Sequence, residues 1–137
     1  MSGILLDTCA LLWIGNGDKI SAAATDALNQ GFERSQTVYV SPFSAWEIGN
    51  LVSLGRLNLS LPPDRWFSGV MKYGGLELAG LTPEMLVSSN FLPSSAHKDP
   101  ADRIIIATAR ENGMTIMTRD QKILDYAQHG HVNALRC

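Results

Sequence analysis

Hydrophobic residues in this chain fall into short unbroken runs and longer helical stripes that alternate along its length. "GILL" (3–6), "TVYV" (37–40), "LELAG" (76–80), "MTIMT" (114–118) and "HVNAL" (131–135) have the length and β-branched or aliphatic content of strands, the last at an edge. Between them lie helical stretches with clear start signals. "TCALLWI" follows Asp7 and stops near Gly15 to Gly17, and Ser21 caps a helix to about Gly31. Ser41 and Pro42 open a helix through Trp46, Ile48, Leu51 and Leu54 to Gly55; Pro62 and Pro63 open "DRWFSGVMKY", closed by Gly74 and Gly75. Thr82 with Pro83 begins another. Asp99 and Pro100 then start an apolar helix that Gly113 ends, and Asp120 begins the last.

Strands alternating with helices predict a three-layer α/β/α domain around a central, mostly parallel sheet. There is no repeat, low-complexity segment or linker composition, so residues 1–137 read as a single domain. With 45% hydrophobic residues, that domain can bury about 68% of its unfolded surface. Cys9 and Cys137 are the only cysteines and suggest no disulfide framework. Asp7 interrupts the N-terminal apolar stretch, which has no basic lead-in, so neither a signal peptide nor a membrane span is expected and a cytoplasmic setting is the default. Eleven basic against thirteen acidic residues, a net charge of −2, argue against a long nucleic-acid track held by charge alone and leave room for a local basic patch.

The acids carry the chemistry. Ligands of parallel α/β sheets bind at the carboxyl ends of the strands. Asp7 directly follows the first strand and Asp120 lies two residues beyond "MTIMT". Glu47 lies about one and a half turns into the helix leaving "TVYV", within about 9 Å of the same edge. The helix opened by Asp99 must run back antiparallel to the strand after it, which brings Asp99 and Asp102 to that edge too. Taken singly, Asp7, Asp99, Asp102 and Asp120 are ordinary helix-start acids, and Asp99 alone reads first as an N-cap. Glu47 shares a three-residue period with Ser44, Asn50 and Ser53, which also describes a solvated face. Their joint placement is what suggests a site. Converging carboxylates raise one another's pKa unless a cation partners them, and an oxygen-only donor set favours Mg²⁺ or Mn²⁺ over zinc. Asp7→Asn is expected to be the cleanest neutralisation of the cluster, since the charge of Asp102 also favours its helix N-terminus.

"ILLDTCALLW", "VSPFSAWEI" followed by "GRLNL", "LPSSAHKDPADRIIIATA" and "MTIMTRD" resemble, in order, the blocks of PIN-domain ribonucleases, specifically VapC-like toxins of bacterial toxin–antitoxin pairs. The resemblance covers nearly the whole chain. It implies that Asp7, Glu47, Asp102 and Asp120 are the catalytic acids, with Asp7, Asp102 and Asp120 holding the metal and Asp99 as an accessory ligand. It also implies that Thr8 and Thr118 support the acids, that the substrate is RNA cut to 5′-phosphate and 3′-hydroxyl ends, and that the protein is a homodimer neutralised by a cognate antitoxin. The run "GNLVSLGRL" departs from relatives that carry a lysine a few residues after "WEI".

Lys98, Arg103, Arg119 and Lys122 flank the acids; Lys98, Arg103 and Arg119 are expected to touch the RNA phosphates, as are Thr8 and Thr118 to face the substrate. The apolar segment from Trp46 to Met71 is the candidate antitoxin groove or dimer contact. His129 and His131, which would share one side of a strand, read as a surface pair. Two competing functions differ in class. A phosphatase or phosphotransferase would use Asp7 as a covalent nucleophile, but no acid stands two residues on to act as general acid. A catalytically decayed binding module would not be expected to keep every matched acid.

Overall fold

A computed structural model describes residues 3–94 and 98–137. Residues 95–97 of the "LPSSAHKDPADR" block lie outside the described residues. Among the described residues, five strands form one sheet: β1 (Ile4–Leu6), β2 (Val38–Val40), β3 (Glu77–Leu78), β4 (Thr115–Thr118) and β5 (Asn133–Arg136). Their order is β3-β2-β1-β4-β5 and every pairing is parallel, so the sheet is more uniform than the mostly parallel one expected. Among the described residues, seven helices connect them: α1 (Thr8–Gly15), α2 (Ala22–Glu33), α3 (Pro42–Ser53), α4 (Pro63–Tyr73), α5 (Pro83–Ser88), α6 (Pro100–Asn112) and α7 (Gln121–Gln128).

The two-residue period of a strand sends neighbouring side chains to opposite faces, and β1 shows the consequence. Ile4 and Leu6 join Val38, Val40, Leu11, Ile48 and Trp66 in one core layer. Leu5 points the other way and packs with Ile105, Ile106, Ile116 and Ile123 in a second. The three layers follow directly. Helices α1 to α4 thus contribute to the first core, and α6 and α7 to the second.

The starts of the helices follow the capping chemistry of the sequence. Asp7, Ser21, Ser41, Thr82, Asp99 and Asp120 each cap the next helix through a side-chain oxygen that accepts a backbone N–H. Gly113 ends α6 in the left-handed conformation, φ 63°, which few residues with a Cβ adopt. One local expectation changes. β5 begins only at Asn133, so His129 caps the end of α7 and His131 packs its ring against Tyr126 instead of sharing a strand face. Trp66 likewise belongs to the core rather than to an exposed groove, whereas Trp46 is exposed and stacks on Phe43 at 5.2 Å between ring centroids.

Strand β1 lies at the centre and its chain neighbours leave it in opposite directions, to β2 on one side and ultimately to β4 on the other. Such a switch in strand order opens a crevice beyond the carboxyl ends. Asp7 after β1 and Asp120 after β4 stand on its two lips.

Candidate active site

A cleft of about 390 Å³ at this crevice is lined by Asp7, Thr8, Cys9, Trp13, Glu47, Asp99, Asp102, Arg119 and Asp120. Five carboxylates from α3, α6 and the caps of α1, α6 and α7 therefore meet where the parallel topology puts helix N-termini. The capping role and the clustering are not alternatives here. Asp7, Asp99 and Asp120 each spend one oxygen on a helix N-terminus and still face a common space.

Asp7 is held through both of its carboxylate oxygens. It is only 5% exposed; Oδ1 accepts from the Ala10 amide at 2.7 Å and Oδ2 from the Thr118 hydroxyl at 2.5 Å. Thr118, fully buried, also accepts from the Asp120 amide at 2.9 Å and so ties the two lips of the crevice together. Thr8 does the same for α3. Its hydroxyl donates to Glu47 Oε1 at 2.5 Å, and because that uses its one proton, the Ser44 hydroxyl 2.9 Å away is the donor to Thr8. Both threonines thus hold carboxylates in place, while Thr8 also borders the cleft and Thr118 lies behind it.

The electrostatics record the convergence. Burial raises the pKa of Asp7, with the Thr118 and Ala10 hydrogen bonds opposing it and Asp120 adding to it. Burial also raises Glu47, opposed by the Thr8 hydrogen bond and reinforced by Asp99 and Asp7. Asp102 is pushed up to about 8, first by burial and then by Asp99, Asp120, Glu47 and Asp7. Burial and the same carboxylates hold the Cys9 thiol up at about 11, so it is not an activated thiolate.

The remaining expected residues divide. Arg119 lines the cleft; Arg103 and Lys98 are not among its lining residues. Arg103 follows Asp102 on α6, and successive helical residues point about 100° apart, so a helix that aims Asp102 into the cleft turns Arg103 away. Its Nε is buried without a hydrogen-bond partner. Lys98 is exposed. Cys9 and Trp13 are the lining residues that the sequence did not single out. Their four-residue spacing on α1, with Cys9 just after Asp7, was the available signal.

Among the described residues, no three Asp, Glu, His or Cys side chains are preassembled as a metal-ligand set. The donor chemistry nevertheless suits a hard divalent cation. The acids offer oxygen alone, and burial together with the neighbouring carboxylates holds Asp102 well above the usual carboxylate range.

The PIN-domain family model matches residues 4–128. The chain is 32% identical over 124 residues to Ribonuclease VapC22 of Mycobacterium tuberculosis (strain ATCC 25618 / H37Rv), covering 90% of this chain and 91% of that protein. Among solved structures it resembles a chain of DNA-bound VapBC from Salmonella typhimurium, with a TM-score of 0.67 and 15% identity over 99% of this chain and 98% of the other. A chain of VapBC2 from Rickettsia felis, bound to a fragment of its promoter DNA, gives a TM-score of 0.68 and 14% identity over 98% of both. Those two likenesses establish the fold, and the family match and the identity to a ribonuclease of the same length establish kinship: the chain belongs to the PIN-domain family, among its VapC-like members.

Proposed function

We propose that the protein is a metal-dependent endoribonuclease, the toxin of a toxin–antitoxin pair, and that the five-carboxylate cleft is its active centre. The observation that carries this reading is the convergence of Asp7, Glu47, Asp99, Asp102 and Asp120 on one open crevice, with Asp102 raised to about 8 by burial and then by its neighbours. Asp7, Asp102 and Asp120 would hold Mg²⁺ or Mn²⁺, with Asp99 as an accessory acid. A bound divalent ion supplies Lewis-acid polarisation of a phosphoryl oxygen and lowers the pKa of bound water.

The chain's own groups set the geometry around that ion. Asp7 is locked by Ala10 and Thr118, and the Thr118 bridge fixes Asp120 relative to it. Glu47, raised by burial and anchored through Oε1, takes up a proton at Oε2 more readily than an ordinary glutamate, as suits a general base. Fixed carboxylates cost no reorganisation during reaction. Locking Asp7 through both oxygens also disfavours the covalent phosphotransferase reading, in which one of them must be free to attack phosphorus.

The antitoxin partner follows from kinship with a VapC protein. The exposed aromatic and aliphatic side chains on and near α3 and α4, Trp46, Leu54, Leu61 and Tyr73, are its docking surface in this reading. A homodimer and a cytoplasmic setting belong to the same reading; among the described residues, no helix is long and apolar enough to cross a membrane. Incubating the purified protein with total RNA and Mn²⁺, with and without chelator, tests the activity. Cuts with 5′-phosphate ends that vanish in chelator and in Asp102→Asn support it, and intact RNA under all conditions refutes it.

A further inference from the structure

The wall of the cleft opposite a purely acidic reading is formed by Trp13 and Arg119. The Arg119 guanidinium lies over the Trp13 ring, 3.8 Å from its centroid, and Nη2 donates to the Lys19 carbonyl at 2.9 Å. An exposed arginine is ordinarily free to rotate; here an indole face and a carbonyl fix it before any ligand arrives.

A cleft of five carboxylates repels a polyanion, so a strand of RNA entering it gains from a fixed positive group on the wall. A planar guanidinium with several donors binds a phosphate in two-pronged fashion, and one that is already ordered loses less freedom on doing so.

We propose that Arg119 is a phosphate anchor for the RNA strand in this cleft and that Trp13 is the residue that positions it. The proposal rests on the nuclease reading for its ligand, and it adds a residue, Trp13, whose effect is exerted through Arg119. Lysine cannot replace Arg119, because a compact ammonium neither stacks on the indole nor binds in two prongs. Phenylalanine can replace Trp13, because it retains a ring face.

The experiment uses the full chain and a fluorophore-labelled single-stranded RNA of mixed sequence. Steady-state cleavage in Mn²⁺ is measured for the unmodified protein, Arg119→Ala, Arg119→Lys, Trp13→Ala, Trp13→Phe and the double alanine variant. Binding of the same RNA is followed by anisotropy over a salt series in an Asp102→Asn background. Arg119→Ala is expected to lower kcat/KM about tenfold, mainly through KM, and to reduce the salt slope by about 0.7, the share of one phosphate contact on a single strand. Trp13→Ala should give a smaller loss of the same kind, about threefold to fivefold, that disappears in the Arg119→Ala background. Trp13→Phe should recover most of it and Arg119→Lys little.

An unchanged salt slope and KM in Arg119→Ala overturn the anchor, including when its melting temperature falls, since that combination describes a purely structural contact. Equal Trp13→Ala losses with and without Arg119 overturn the positioning role. Should the unmodified protein fail to cut RNA while the slope still responds to Arg119, the nuclease reading falls and the anchor stands.

Discussion

Replacing Asp102 with asparagine tests whether burial among the other carboxylates makes the Asp102 carboxyl hold its proton. The ordinary value for this group is 3.8, and the cleft holds it at about 8. Below pH 4 folded and unfolded chains both carry the proton, so the group has no effect on stability. As pH rises above 4 the unfolded chain releases a proton that the folded chain retains, and stability falls until both have lost it near pH 8. At about 1.4 kcal/mol per pH unit the gap has an upper bound of about 6 kcal/mol. Asp102 is only partly buried and faces an open cleft, so screening by water reduces the expected cost to about 1–2 kcal/mol. For a domain of this length that corresponds to a loss of about 3–8 °C in melting temperature. Asp102→Asn removes the titration and keeps the shape. In chelator, its melting temperature should match the unmodified protein near pH 4 and exceed it increasingly up to pH 8. Curves that stay parallel across this range would refute the raised Asp102 pKa that burial and the neighbouring carboxylates produce.

Three further substitutions separate the roles of the acids and their supports. Asp7→Asn should abolish cleavage yet stabilise the protein less than Asp102→Asn by about 1–2 kcal/mol, because the buried Thr118 hydroxyl loses the acceptor of its proton; matched urea titrations decide this. Thr118→Val should cost about 1–3 kcal/mol and at least a tenfold loss in kcat by freeing Asp7 from Asp120, so unchanged kinetics would remove the bridge from the account. Asp99→Asn, which keeps its cap on α6, should reduce cleavage less than Asp102→Asn, and equal losses would make Asp99 a full ligand.

How the sequence disclosed these acids explains what it concealed. Ile4, Leu5 and Leu6 announce a strand covered on both faces, and Asp7 after them announces both a helix start and the strand's carboxyl end. Since parallel topology brings the capped starts of helices to one edge, capping signals alone were enough to predict the meeting of Asp7, Asp99 and Asp120. They could not rank the acids. The expectation that Asp7→Asn is the cleanest neutralisation left out the hydrogen bond from Thr118, which comes from a strand more than a hundred residues away, and only the fold pairs them. Nearness in sequence also misleads on a helix. Arg103 adjoins Asp102 but turns off the cleft, whereas Trp13, six residues beyond Asp7, turns into it. Apolar residues such as Trp13 gave no chemical signal because they fit the core pattern of "TCALLWI" equally well.

The central claim, that the carboxylates form one metal-binding centre, is tested most directly by titrating the full chain with Mn²⁺ calorimetrically at pH 7 in buffers of different ionisation enthalpy. With its pKa at about 8, Asp102 is about nine-tenths protonated at that pH before metal arrives. Binding must expel that proton. The account predicts saturable Mn²⁺ binding that releases about 0.5–1 proton per site, with both the affinity and the proton release sharply reduced in Asp102→Asn. Binding heats independent of buffer, or Mn²⁺ affinity unaltered by Asp102→Asn, would contradict it.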